Sequence, residues 1–283
     1  MRWEGREESD NVEDQRGRSP LSGRGAGIGC GGLLLVIVVA LLTGRDPTQL
    51  LQLLQGVEET TQQSAPAPQQ APPANDTLGR FASVVLRDTE DTWDSVFSKA
   101  GRRYERPKMV LFSDAVESAC GLTSAAVGPF YCPADRKVYL DLGFFDELSR
   151  KFGAPGDFAH AYVIAHEVGH HVQNLLGISD RVDAARARMG ERESNALSVK
   201  VELQADCLAG VWAHYAAGKP GLLEPGDIEE GLRAAAAIGD DRLQRMGSGR
   251  VQPESFTHGS SADRVKWLRQ GISSGDPNSC KTL

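Results

Sequence analysis

Asp157-Phe-Ala-His-Ala-Tyr-Val-Ile-Ala-His-Glu-Val-Gly-His-His-Val-Gln-Asn-Leu-Leu176 is the stretch on which the reading of this chain turns. Its apolar residues recur at helical spacing and Gly177 closes it, so it is predicted to be one largely apolar helix. Inside that helix, His166-Glu-Val-Gly-His170 is an H-E-x-x-H motif. Side chains four apart share a helix face, so His166 and His170 can turn one ring nitrogen each toward a single metal ion. Glu167 then stands close enough to reach water beside that ion.

Two histidines do not complete a catalytic zinc site, which takes three protein ligands and keeps a fourth position open. A third histidine six residues past His170 is excluded, because Gln173 and Leu176 stand where that pattern needs Gly and His. A second predicted helix, Glu193 to Ala217 ended by Gly218, contains Val201-Glu-Leu-Gln-Ala-Asp206. Glu202 and Asp206 are again four apart. Glu202 is therefore the expected third ligand, and Asp206 the acceptor that takes the other ring N–H of a ligating histidine and fixes its tautomer. The alternative, a solvated helix face, fits poorly beside Val199, Leu203, Ala205, Leu208 and Ala209, since buried carboxylates usually pair or bind metal.

Of the other histidines, His160 and His171 lie off the ligand face and His214 lies twelve residues past Glu202, so all three read as structural. His258 sits in a Gly/Ser-rich loop ahead of a helix, where a side chain can be aimed into a cleft, and is the candidate to stabilise a developing oxyanion. The expected chemistry is peptide hydrolysis. Zinc would acidify water, Glu167 would act as general base, and the substrate backbone would add to an edge strand around Lys137 to Leu140.

Three blocks, His166-Glu-Val-Gly-His-His171, Glu202-Leu-Gln-Ala-Asp-Cys207 and Ser255-Phe-Thr-His-Gly-Ser-Ser261, resemble the bacterial neutral zinc metallopeptidases. The resemblance covers about residues 77 to 283 together with an amino-terminal anchor. It implies a zincin-type domain behind one membrane segment, zinc as cofactor and a peptide or protein as substrate. The competing reading is a zinc-binding envelope interaction protein without catalysis. Glu167, neither ligand nor packing residue, favours the enzyme.

Outside these blocks, composition sets the boundaries. The formal charge of −7 and the absence of a Lys/Arg-rich run exclude nucleic acid as a partner. Residues 1–24 hold five Arg and six Asp or Glu with few large apolar residues, and read as a disordered cytoplasmic tail. Residues 25–44 are uncharged and run into Leu33-Leu-Leu-Val-Ile-Val-Val-Ala-Leu-Leu42, long enough at about 1.5 Å per residue to cross a bilayer of roughly 30 Å. Arg6, Arg16, Arg18 and Arg24 precede this run and Arg45 alone follows it closely. The expected protein is therefore single-pass, amino terminus inside and carboxy-terminal domain outside.

Residues 45–76, rich in Gln, Pro and Ala, read as a flexible linker, and residues 77–283 as the folded domain. Asp76 is a plausible cap for a helix from Thr77 to Lys99. Strands are expected at Lys108 to Phe112 and Lys137 to Leu140, and further helices at Phe144 to Phe152, after Pro225 and at Ala262 to Gln270. The sum is a mostly helical α+β domain with a small sheet. Cys120, Cys132, Cys207 and Cys280 lie in the outer part, an even number where disulfides persist. The close spacing of the first two favours Cys120–Cys132 with Cys207–Cys280.

Overall fold

The fold is built around two adjacent apolar strands. In this computed structural model, which describes residues 1–17, 72–73 and 75–283, the elements run in the following order. Strand β1 (Val12–Asp14) comes first, then helix α1 (Thr77–Lys99), strand β2 (Lys108–Phe112) and a hairpin of β3 (Ala115–Ser118) and β4 (Gly121–Ser124). Strands β5 (Phe130–Cys132) and β6 (Lys137–Asp141) follow. Then come helices α2 (Gly143–Arg150), α3 (Asp157–Leu175), α4 (Ile178–Arg186), α5 (Glu191–Gly218), α6 (Asp227–Ala237), α7 (Asp240–Gly247) and α8 (Ser261–Ser274). The architecture is α+β and mostly helical, as expected.

The main sheet has the order β1-β2-β6-β5, parallel across β1, β2 and β6, with β5 antiparallel at the edge. Met109 to Phe112 and Val138 to Leu140 are nearly continuous apolar runs, the pattern of strands covered on both faces. Alternate residues then serve two cores. Met109, Leu111, Val138 and Leu140 face the helices, while Val110, Phe112 and Tyr139 pack with Val116 and Cys132 under the hairpin. The Asp76 carboxylate accepts from the Gly79 N–H at 3.0 Å and starts α1, which then buries Phe81, Val85 and Trp93.

Four expectations require correction. Residues 1–17, read as part of a disordered tail, are folded: β1 pairs with β2, with Val12 opposite Met109, and Trp3 and Val12 join the main core. Composition misled here because the buried polar groups of this stretch find partners far along the chain. Ser9 donates to Glu90 at 2.8 Å, and Glu13 is bridged by Lys108 and Lys137. Second, Lys137 to Leu140 is not an edge. β6 lies between β2 and β5, so the free edge among the described residues on that side belongs to β5. Third, the loop expected between the two predicted strands contains β3, β4 and β5. Fourth, α4 has no counterpart in the predicted helices.

Cys120 is joined to Cys132 and Cys207 to Cys280, the pairing expected. The proposed membrane segment at 25–44 lies outside the described residues, as does most of the expected linker. Among the described residues no helix is long and apolar enough to cross a membrane.

Candidate metal centre

Two buried helices meet backbone to backbone at the centre. A Cβ added to Gly169 of α3 would lie 2.9 Å from the Ala205 carbonyl oxygen of α5, closer than side-chain carbons are found. The missing side chain lets α5 approach until Glu202 and Asp206 face the two histidines of α3. His166 Nε2 is 3.1 Å from one Glu202 oxygen and His170 Nε2 is 3.5 Å from the other. The donor atoms of His166, His170 and Glu202 all lie within 4.8 Å of one another, a grouping that can hold a metal ion.

Each histidine is held by its other nitrogen. His166 Nδ1 lies 2.9 Å from Asp206, the partner assigned from the sequence. His170 Nδ1 lies 2.9 Å from the Gln173 amide oxygen. Gln173 thus occupies the position that breaks the third-histidine pattern and instead orients the second ligand. Its own amide nitrogen donates to the Val201 carbonyl and to Gln204 Oε1, tying α3 to α5. Such outer partners fix ring orientation and leave Nε2 as the donor for a metal.

Beneath His166 is a group that the sequence reading missed. Arg264 of α8, 2% exposed, donates to both Asp206 oxygens at 2.9 and 3.0 Å, and the Tyr162 hydroxyl donates to Asp206 at 2.5 Å. Tyr162 could have been found, since it precedes His166 by four residues on the same helical face. Arg264 is 58 residues from Asp206 and carries no local signal.

The charges fit one divalent cation. Glu167, Glu202 and Asp206 are buried or half-buried beside the single guanidinium of Arg264, so with neutral imidazoles the cluster holds a surplus of negative charge. Burial opposes protonation of His166, but the Asp206 charge and hydrogen bond outweigh it and lift its pKa to about 10. Burial likewise opposes protonation of His170, and Glu202 raises it nonetheless. Burial opposes the charge of Asp206 too, yet Arg264 and His166 push its pKa down to about 2. A cation at the two Nε2 atoms and Glu202 would supply the positive charge that protons otherwise provide. Glu167 differs from these carboxylates: burial raises its pKa, against the pull of His166 and His170.

Glu167 and His258 line the same cleft of about 520 Å³ as the three donors. Asp240 secures His258 by accepting the Thr257, His258 and Gly259 N–H groups at 2.8, 2.6 and 2.9 Å and lying 3.2 Å from His258 Nδ1. That bond raises the His258 pKa. The other histidines are structural. His160 stacks on Phe145 at 4.3 Å, His214 bonds the Ile272 carbonyl, and His171 is fixed between Tyr131 and the Glu105 carbonyl. Burial lowers the His171 pKa to about 4.

Two histidines, each held by an outer partner, and one carboxylate, beside a buried glutamate, define the class of mononuclear metal site that zinc hydrolases use. A family model described as "Putative neutral zinc metallopeptidase" matches residues 1–283, and the chain belongs to that family. It is 50% identical to the uncharacterized protein YpfJ of Escherichia coli over 288 residues, covering 100% of this chain and 99% of that protein. It is also 47% identical over 214 residues to the uncharacterized protein Rv2575 of Mycobacterium tuberculosis, across 72% of this chain and 71% of that one. No solved structure matches it.

Proposed function

We propose that the chain is a zinc metallopeptidase in which His166, His170 and Glu202 hold the metal and Glu167 is the general base. What carries the proposal is the convergence of three donor atoms within 4.8 Å, with Glu167 in the same cleft. When bound there, zinc supplies Lewis acidity, which lowers the pKa of water toward about 7 and polarises a carbonyl. Glu167 takes the proton from water as its oxygen attacks the scissile carbonyl carbon. It then delivers that proton to the amide nitrogen as the C–N bond breaks. Burial raises the Glu167 pKa above the usual carboxylate value, which strengthens it as the base that takes the proton from water.

The substrate backbone is aligned along β5, whose Phe130 and Tyr131 line the cleft, in place of the β6 edge expected from sequence. Phe144, Phe152 and Val127 add an apolar wall that suits peptide side chains. His258, held by Asp240, is the group placed to donate to the oxyanion.

Glu167→Gln tests the mechanism. At matched zinc content and unchanged melting temperature, hydrolysis of a denatured protein substrate is expected to fall by about 10²- to 10⁴-fold. Equal rates in the two proteins would exclude Glu167 as the base. A chelator-sensitive partner interaction without hydrolysis in either protein would instead favour the non-catalytic zinc-binding reading.

A further inference from the structure

Residues 1–17 are woven into the domain that holds the metal centre, and this bears on how the chain meets a membrane. The Asn11 carbonyl accepts from Met109 N–H, and Gln15 N–H donates to the Leu111 carbonyl, each at 2.8 Å, so β1 is hydrogen-bonded to β2 along its length. The Trp3 ring packs edge-on against Phe81 with centroids 5.6 Å apart. Glu90, with no exposed side-chain surface, accepts from Ser9 and Asn11 at 2.8 Å each. Glu13, 4% exposed, meets Lys108 and Lys137 at 2.9 and 2.8 Å, one on each of the next two strands. These contacts bury apolar surface and satisfy buried charges on both partners, so neither part keeps its present interior without the other.

A segment that joins a sheet by main-chain hydrogen bonds and shares its core cannot be separated from that sheet by a bilayer. A single crossing at 25–44 would do just that, placing β1 on one side and β2 on the other. The charge count that oriented the single crossing weakens for the same reason. Arg16 is ion-paired with Asp14 and Asp76, and Arg6 donates to the Arg2 and Pro220 carbonyls, so both belong to the folded domain. The pairs Cys120–Cys132 and Cys207–Cys280 indicate which side that domain occupies, since such bonds persist in oxidising compartments.

We infer that residues 1–17 lie on the same side of the membrane as the metal centre, the outer oxidising side. This reverses the cytoplasmic placement expected for the amino-terminal residues. It holds whatever reaction the centre performs.

The test uses the full-length chain in a bacterial host. Exposed positions Glu4 and Asp10 in the amino-terminal segment, and Lys266 in the domain, are changed singly to cysteine as Glu4→Cys, Asp10→Cys and Lys266→Cys. Spheroplasts are treated with a membrane-impermeant maleimide before and after lysis, and the unaltered chain gives the background. Equal labelling of all three positions in intact spheroplasts, with no gain on lysis, is the expected result. Labelling of Lys266→Cys before lysis but of Glu4→Cys and Asp10→Cys only afterwards would overturn the inference. Protection of all three until lysis would keep the shared side and overturn its outward assignment.

Discussion

The metal centre and the amino-terminal strand are both largely buried, but they are specified in opposite ways. In the centre, each helix contributes a pair of residues four apart, and tertiary structure only has to bring α3 and α5 together. In the amino-terminal segment, the buried Ser9 and Glu13 find their partners far along the chain. Glu13 answers lysines on β2 and β6, and Ser9 answers Glu90 of α1. Local spacing therefore encodes chemistry, while complementarity over distances of 70 residues or more encodes the seam that closes the domain. If this contrast is right, changes in the centre should move metal affinity with little effect on folding, and changes in the seam should do the reverse.

The largest separation is expected from Glu202→Ala. Zinc affinity, measured by competition with a chromogenic chelator, should fall by well over the 10- to 100-fold typical of losing an outer partner. The melting temperature of the metal-free protein should stay near wild type. A drop in stability matching the drop in affinity would dissolve the distinction between the two regions.

On the other side, Trp3→Ala should lower unfolding free energy by about 3–5 kcal/mol, as expected for truncating a large buried aromatic side chain. Zinc affinity below the transition should be unchanged. Retention of full stability in a urea titration would show that the segment merely rests on the domain.

His171 offers a pH readout of burial next to the centre. Its folded pKa of about 4 lies below the usual value of 6.5, so the unfolded chain binds more protons between these limits. Its contribution is complete above about pH 6.5 and is lost as pH falls toward 4, amounting to about 3 kcal/mol. His171→Gln should flatten the stability profile across that window. An unaltered slope would mean that other groups produce it.

The smallest effect belongs to Gln173→Met, which removes the His170 partner without leaving a buried charge. Zinc affinity should fall by about 10- to 100-fold. Wild-type affinity would show that His170 needs no outer support and would narrow the centre to its ligands alone.

Most of the centre was legible because its determinants are short-range. His166, Glu167, His170, Glu202 and Asp206 announce themselves by residue type and helical spacing, and the grouping of the three donors matches that reading. Arg264 was not legible, since nothing around Ser261–Ser274 says that one of its charges ends beneath a histidine of α3. The long helices α1, α3 and α5 followed from apolar periodicity, whereas the short α4 did not. β1 and β5 did not, because three-residue strands are too short to show alternation, and because Glu13 and Ser9 look like surface residues until their partners are known. The same polar composition that suggests a solvated tail is, in the folded chain, a set of buried contacts already matched.

The contact between Gly169 and Ala205 gives the cage its dimensions. With no side chain between the two main chains, there is nothing compressible to absorb an error, and the span from histidine to carboxylate is inherited directly from the helix separation. One methyl group at position 169 would act as a wedge, levering Glu202 away from both rings while leaving every donor atom in the sequence. The instrument's calibration lies in a hydrogen atom, and ligand inventories that record only side chains would miss the component that sets the gauge.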